Sequence, residues 1–579
     1  MRPAPIERSR DLVILVAISV LIAIAVWTVF VRFTVDDAFI AYRHARHLAR
    51  GLGPVMNPGE RVEGVSNLPW TLVLGAVARL GIEPHRAGPW LSMLCGLACI
   101  PAAALVSRRW TVDRATAAAA ALLTAVGLPL GIWSASGMET SSVALVLLGL
   151  SVSCAPRASE PAGGPGLGTG IALGLLAILR PEGAIFALPV LGCVAVSPGP
   201  RGRRLGVVVL AAAGIFLPVV LFRILYYGDW LPNPVYAKLP AGTAALAPGL
   251  AYVLQFAVAF PLALAAGARL AFDVRRDPVA ALVVGVLAVQ LGFAFAVGGD
   301  HFPAYRFAAP LWPLLAVAMA RGLVGATEPR RSRLRLASAI AAATLGVTLL
   351  VSPSVLLPFA EHAAALQRLE RPPSTHTERL LLEIRHLGLV LVGLAIWWGR
   401  ALRPGERSSP GPLAVLLLVL CLVVPTTLDP RIRNAREPDA AARYGRPVGE
   451  WLATHLPATS LVATNAAGSL PYFSDLPVVD MLGLTDRRIA RRKPDAQRWI
   501  GHERGDGRAV LDRRPAVIVF GGPEGSLAPW PFRSDQEIAA DPEFQRDWVP
   551  ERVPLEAFDF VFYRRRDVEL HGARPGSGL

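Results

Sequence analysis

The chain is 579 residues long, 53% hydrophobic and only 17% charged, yet its charges sum to +15. Soluble chains of this size carry ~25% charged residues, disordered basic tails lack the apolar content, and basic nucleic-acid binders are not built from long runs of Leu, Val and Ala. A membrane protein with no nucleic-acid partner is what remains.

A transmembrane helix needs ~20 mostly apolar residues. In chain order, spans are predicted near 12–31, 87–107, 115–134, 140–154, 167–179, 183–197, 205–225, 246–267, 279–297, 307–320, 336–357, 387–399 and 412–427, about 13 in all. The first follows a basic start with Arg2, Arg8 and Arg10, but no small-residue cleavage site succeeds it, so it reads as a helix and not as a signal peptide. The apolar stretch 68–82 is too short for a comfortable span and is placed in the interface as a helix. With the N-terminus inside, the inner loops then hold 21 arginines against 8 acids, as the positive-inside rule asks.

Beyond Leu428 the spans stop, and basic and acidic residues balance at 22 each. Trp451–Leu456 reads as part of a helix, while Ser460–Thr464, Val478–Met481, Ala516–Phe520 and Phe558–Tyr563 read as strands. The expected organisation is a mostly α, polytopic membrane protein. Residues 1–427 form the transmembrane domain, with a first outer loop at 32–86, and 428–579 form a C-terminal extracytoplasmic α/β domain. The Gly/Pro-rich stretch 155–170 reads as a flexible inner loop. The five cysteines end at Cys421, so the C-terminal part has no disulfide and no Cys-based metal site. Cys95 and Cys99 share a helical face without His or further Cys, which is packing and not a ligand pair.

On this topology the polar motifs gather on the outer side. Asp36 and Asp37 open a helix that carries Arg43, and two carboxylates there can supply a general base and an acceptor-orienting group; the bland reading is a solvated helix start. Further outer segments carry Glu139 in Ser-Gly-Met-Glu, Arg180 in Arg-Pro-Glu-Gly, Lys238 after Asn-Pro-Val-Tyr-Ala, and Gly298-Gly-Asp-His-Phe-Pro-Ala-Tyr-Arg306. Ionisable groups at the mouths of spans are costly unless they line a cavity or reach water. Arg180 either pairs with Glu182 or meets substrate. Lys238 is one of only two lysines among 58 basic residues, so its place either needs a compact ammonium or retains one by chance. His301, Tyr305 and Arg306 follow a Gly-Gly turn and can meet an anion. Asp300 and His301 with Asp36 or Asp37 could hold Mg²⁺ or Ca²⁺, but no ligand-spaced set stands out. The GxxxxGK[ST], HExxH and nucleophile-elbow patterns are absent.

The segments DDAFIAYRHARHLARGLGPVMNPGERVEGVSNLPWTL (36–72), SGMET, RPEG, YYGDWLPNPVYAK, GGDHFPAYRF and DMLGLTD resemble the bacterial GT-C membrane glycosyltransferases of the terminal β-(1→2) arabinofuranosyltransferase kind. The resemblance implies an inverting enzyme of the bacterial cytoplasmic membrane whose site opens on the periplasmic side. Its partners would be a polyprenyl-phosphate-linked sugar donor, a glycan acceptor and the lipid bilayer. It implies a base at Asp36 or Asp37 joined by Glu139. The donor phosphate would be met by Arg43, Lys238, His301 and Arg306, with Tyr305 and Arg180 beside it. Glu63 and Asn67 are acceptor candidates by position. No cofactor is required, and a divalent metal is left open. Transfer of another sugar onto lipid or protein is the alternative. A lipid-linked sugar transporter would need charged groups at the midplane, and a glycan-binding receptor would leave the first-loop acids without a purpose.

Overall fold

A computed structural model describes residues 5–111, 114–155, 164–240, 242–324, 435–495 and 501–571. The expected spans 336–357, 387–399 and 412–427 lie outside them, as do residues 156–163 of the 155–170 loop. The first helix, α1 (Pro5–Trp27), leads to α2 (Asp36–Ala49) and α3 (Leu68–Arg79). Then follow α4 (Pro84–Thr111), α5 (Arg114–Ala125), α6 (Leu128–Ala135), α7 (Thr140–Cys154) and α8 (Leu167–Leu179). The series continues with α9 (Ala187–Val196), α10 (Arg201–Phe222), α11 (Asn233–Lys238), α12 (Leu246–Ala259), α13 (Pro261–Ala271), α14 (Pro278–Val297) and α15 (Trp312–Val324).

Among the described residues four helical stretches, Arg10–Phe30, Pro84–Thr111, Arg201–Tyr227 and Pro278–Val297, are long and apolar enough to cross a membrane, and the bent pair α5 and α6 would make five. Several expected spans are shorter or broken for local reasons. The 115–134 stretch bends by 53° between α5 and α6, where Gly127 precedes Pro129 inside the first turn of α6. The 246–267 stretch breaks at Phe260, which precedes Pro261 and leaves the helical region. Leu68–Arg79 is a separate helix with Pro69 in its first turn, where a missing N–H costs nothing.

The helical core is stapled by large buried rings. Trp27, Trp133 and Trp312 are all fully buried, and Trp312 Nε1 donates to the Leu123 carbonyl at 2.9 Å. Asp277 caps α14 by accepting from the amides of Val279 and Ala280 at 2.9 and 3.1 Å. It also takes Trp110 Nε1 at 2.7 Å and Arg321 at 3.0 Å, joining the ends of α4, α14 and α15.

After Ala435 the chain forms α16 (Ala440–His455) and a five-stranded sheet in the order β2-β1-β3-β5-β4. Its strands are β1 (Val462–Thr464), β2 (Val478–Asp480), β3 (Val517–Val519), β4 (Trp548–Pro554) and β5 (Asp559–Arg565). The first three are parallel and buried on both faces, which suits their unbroken apolar runs; β5 and β4 add antiparallel at the edge. Four strands fall where the sequence pattern puts them. β4 was not expected, because Pro550 and Pro554 interrupt its alternation; an edge strand tolerates them. The short helix α17 (Ser469–Ser474) follows β1 and packs on α16 and α2.

Candidate functional site

The two first-turn acids of α2 have separate fates. No side chain caps this helix, so Asp36 and Asp37 lie in the first turn, beside the positive end of the helix dipole. Asp36 is turned toward the C-terminal segment, where its Oδ2 and Oδ1 accept the amides of Gly468 and Ser469 at 2.8 and 2.7 Å. Its own amide donates to Asp439 Oδ2 at 3.1 Å, and the Asp439 amide donates to the Thr34 carbonyl at 2.9 Å. Burial pushes the Asp36 carboxyl up to about 6, and burial plus the neighbouring Asp36 pushes Asp439 up to about 7. The approach is close: a Cβ on Gly468 would lie 1.9 Å from the Asp36 carbonyl oxygen, so no larger residue fits there. Asp36 therefore fastens the start of α2 to the loop after β1.

Asp37 points the other way, into a cluster of cations. Its Oδ2 lies 3.1 Å from an Arg306 terminal nitrogen and 3.4 Å from Lys238 Nζ at the end of α11. Burial raises this carboxyl, but Lys238 and Arg306 outweigh burial and hold it well below the usual carboxylate range. Asp37 is 24% exposed and Lys238 39%, so both reach solvent, whereas Arg306 is 8% exposed. Arg306 also reaches Asp300 with Nε at 3.1 Å and lies over the Phe302 ring at 4.5 Å. The turn that delivers these groups depends on Gly298 and Gly299, both at positive φ; a Cβ on Gly299 would meet the Tyr252 ring at 2.6 Å. Ala304 and Tyr305 also sit at positive φ, a strained conformation held just before Arg306.

A second network lies behind the first. Glu139 is fully buried, taking Asn67 Nδ2 at 2.6 Å on one oxygen and Arg180 at 2.7 Å on the other. Arg180 also pairs with Glu182, and the two line a small cavity together with Arg306, Phe307 and Gln290. Of the two readings of Arg180, the structure shows the ion pair: it bridges Glu139 and Glu182.

Other expected residues are committed elsewhere. Arg43 is 1% exposed and spends its guanidinium on the carbonyls of Met56, Pro471 and Leu476, which leaves it no free fork for a phosphate. This corrects the expectation that it meets the donor; it is a strut between the first outer segment and α17. Glu63 is sealed against Arg223 at 2.8 Å. Asn67 is held by Glu139, so neither Glu63 nor Asn67 presents a free group to an acceptor. Tyr305 sits among the rings of Tyr252, Phe256 and Phe260 and donates to the Gln255 carbonyl at 3.2 Å, away from Asp37. His301 is exposed, with its ring 5.9 Å from that of His502. Sequence reasoning missed Asp439, Arg223 and His502, whose partners Asp36, Glu63 and His301 are distant in the chain, 160 residues in the case of Arg223 and 403 for Asp439. Asp439 before Ala-Ala-Ala carries an N-cap signal, but nothing local points it at Asp36.

Among the described residues no three His, Cys, Asp or Glu side chains stand close enough to hold a metal ion. The place between Asp37 and Asp300 is taken by the Arg306 guanidinium. The donor set therefore does not fit a divalent ion at this point.

The solved structures most informative for this arrangement are those of ArnT from Cupriavidus metallidurans. The apo form matches with a TM-score of 0.54 at 16% identity, covering 96% of this chain and 98% of that one. The form bound to undecaprenyl phosphate matches with the same TM-score at 17% identity, covering 96% and 99%. The chain has the GT-C fold. On this fold, the sequence is 30% identical to the terminal β-(1→2)-arabinofuranosyltransferase of Mycobacterium tuberculosis over 49% of this chain and 52% of that protein. It is 27% identical to the Corynebacterium glutamicum enzyme of the same name, over 48% and 46%. The alignments thus span about half the length of these curated relatives. Residues 432–570 match a family described as a domain of unknown function, DUF8728.

Proposed function

We propose that this GT-C chain is an inverting glycosyltransferase that moves a sugar, arabinofuranose by analogy with its relatives' names, from a polyprenyl-phosphate carrier to a glycan acceptor on the periplasmic side. The observation that carries the reading is the Asp37 carboxylate facing Lys238 and Arg306 at the start of α2. One site then offers a base and two cations for a leaving phosphate. The bilayer holds the polyprenyl tail, and residues 428–579 form an extracytoplasmic domain over the site.

The chemistry follows from the charges. In the resting arrangement the two cations keep Asp37 ionised but weakly basic. A donor phosphate competes for the same cations, and as they turn to it, Asp37 loses the partners that lower its proton affinity. Asp37 then takes the proton of an acceptor hydroxyl while that oxygen bonds to the anomeric carbon. The bond from the anomeric carbon to the phosphate oxygen breaks, and polyprenyl phosphate leaves with the electron pair between Lys238 and Arg306. One displacement from the opposite face inverts the anomeric centre. Glu139, itself held by Asn67, and Glu182 hold Arg180 behind Arg306 and position that wall of the site.

The test is a transfer assay with purified full-length protein, synthetic polyprenyl-phosphate sugars and oligosaccharide acceptors. Transfer from the arabinofuranose donor with inverted configuration is the expected result. Transfer only from a nucleotide sugar, or retention of configuration, would contradict the proposal.

A further inference from the structure

A row of aromatic rings leads away from Asp37 along the C-terminal segment. It begins at Phe302, under Arg306, whose ring centre is 4.3 Å from that of His301. His301 is 5.9 Å from His502, His502 stacks on Phe532 at 5.6 Å, and Phe532 is 5.9 Å from Trp530. Phe302 and Phe532 are buried supports, whereas His301, His502 and Trp530 reach solvent.

The far end of the row is built to be stiff. Trp530 belongs to the loop after β3, GGPEGSLAPWPF, which carries Pro523, Pro529 and Pro531. Its indole lies on the backbone of Gly521, where a Cβ would meet the ring at 2.6 Å, so one ring face is covered by that glycine. The fully buried Asp535 ties both ends of the loop: it accepts the Gly521 amide at 2.8 Å and the Trp530 amide at 3.2 Å. It also takes Asn465, at the exit of β1, at 2.8 Å. The loop therefore stands at the carboxyl end of the parallel strands, the edge where open α/β sheets receive ligands. The next residues of the β1 exit, Gly468 and Ser469, are those that grip Asp36. One sheet edge both anchors the catalytic helix and carries the ring row.

We propose that the row His301, His502 and Trp530 is a binding track for the sugar chain of the acceptor, extending outward from Asp37. The proposal rests on the glycosyltransferase reading above and adds to it that the acceptor is an oligosaccharide gripped several sugar units from the reacting hydroxyl. A sugar ring has an apolar C–H face and a rim of hydroxyls. Laid on an aromatic face it buries the apolar part and leaves the hydroxyls in water. His301 and His502, 5.9 Å apart, suit neighbouring sugar units, Trp530 beyond the buried Phe532 suits one further along, and the proline-fixed loop lowers the ordering cost of binding.

The test compares wild type, Trp530→Ala and Trp530→Phe with a synthetic arabinofuranose hexasaccharide and a disaccharide as acceptors. Trp530→Ala is expected to raise the hexasaccharide KM about five- to tenfold. It should leave kcat and the disaccharide KM within about twofold, and Trp530→Phe should restore most of the loss. An equal loss for both lengths, or no loss, would overturn the track. Equilibrium binding of the hexasaccharide to Asp37→Asn, with and without Trp530→Ala, reads the track without turnover. If wild type transfers no sugar, the enzymatic reading fails, while weakened binding in the double variant still supports the track. Unchanged binding overturns the track whatever the activity.

Discussion

At the residue scale, one helical step separates two carboxylates with different environments. Asp36 receives two backbone amides and packs against Asp439, while Asp37 receives two cations. Sequence alone left the pair undivided, because adjacent positions on a helix differ only in the face they turn, and which face meets what is a tertiary matter. The rarity of lysine did lead to a residue that stands beside Asp37. In the proposed mechanism Lys238 is a point charge on a flexible stem that follows the phosphate as it leaves. Lys238→Ala is therefore expected to raise the donor KM about tenfold or more, with Lys238→Arg recovering part of it. Steady-state kinetics with varied donor measures this; an unchanged donor KM in the alanine variant would remove Lys238 from the phosphate site.

At the element scale, the α2 start, the Gly298–Arg306 turn and the exits of β1 and β3 are brought together by contacts no local pattern announces. The motifs that compose the site were legible as strings, and within the stretch 68–82, too short for a span, Leu68–Arg79 is a discrete helix, α3. The bent and broken helices were less legible, since hydropathy windows run smoothly over Gly127 and Pro261. Edge strand β4 was hidden by its prolines. The junction of α2 with α16 carries a pH signature. Asp36 and Asp439 rise from 3.8 to about 6 and about 7, chiefly by burial. A folded-state value above the unfolded one means the folded protein binds the proton more tightly. That contribution is present in acid and is lost as pH rises through the folded values, between about 4 and about 7. Asp439→Asn removes one charge of the pair, so its stability relative to wild type is expected to increase between pH ~4 and ~7, on the order of 1–2 kcal/mol. Thermal melts across that range check this; a difference that stays flat with pH would contradict it.

At the scale of the whole molecule, the charge that opens the sequence is divided by location. The loops read as inner carry a large arginine excess, whereas the C-terminal part is balanced at 22 basic and 22 acidic residues. On the GT-C fold Lys238, Arg306 and Asp300 gather at Asp37 with the Glu139–Arg180 pair behind them, and the C-terminal segment reaches this region through Gly468, Ser469 and His502. A scaffold of apolar helices supplies rigidity and a lipid-facing surface, and the chemistry sits in the segments joining them. The measurement that tests the central claim most directly is sugar transfer from polyprenyl-phosphate arabinofuranose by Asp37→Asn and Asp36→Asn, each with its thermal stability. Asp37→Asn is expected to fold as wild type and to lose about 10²–10⁴-fold in kcat. Asp36→Asn should mainly lower stability by loosening the grip on Gly468 and Ser469. Wild-type turnover by Asp37→Asn, or a well-folded Asp36→Asn that loses transfer instead, would contradict the assignment of Asp37 as the base.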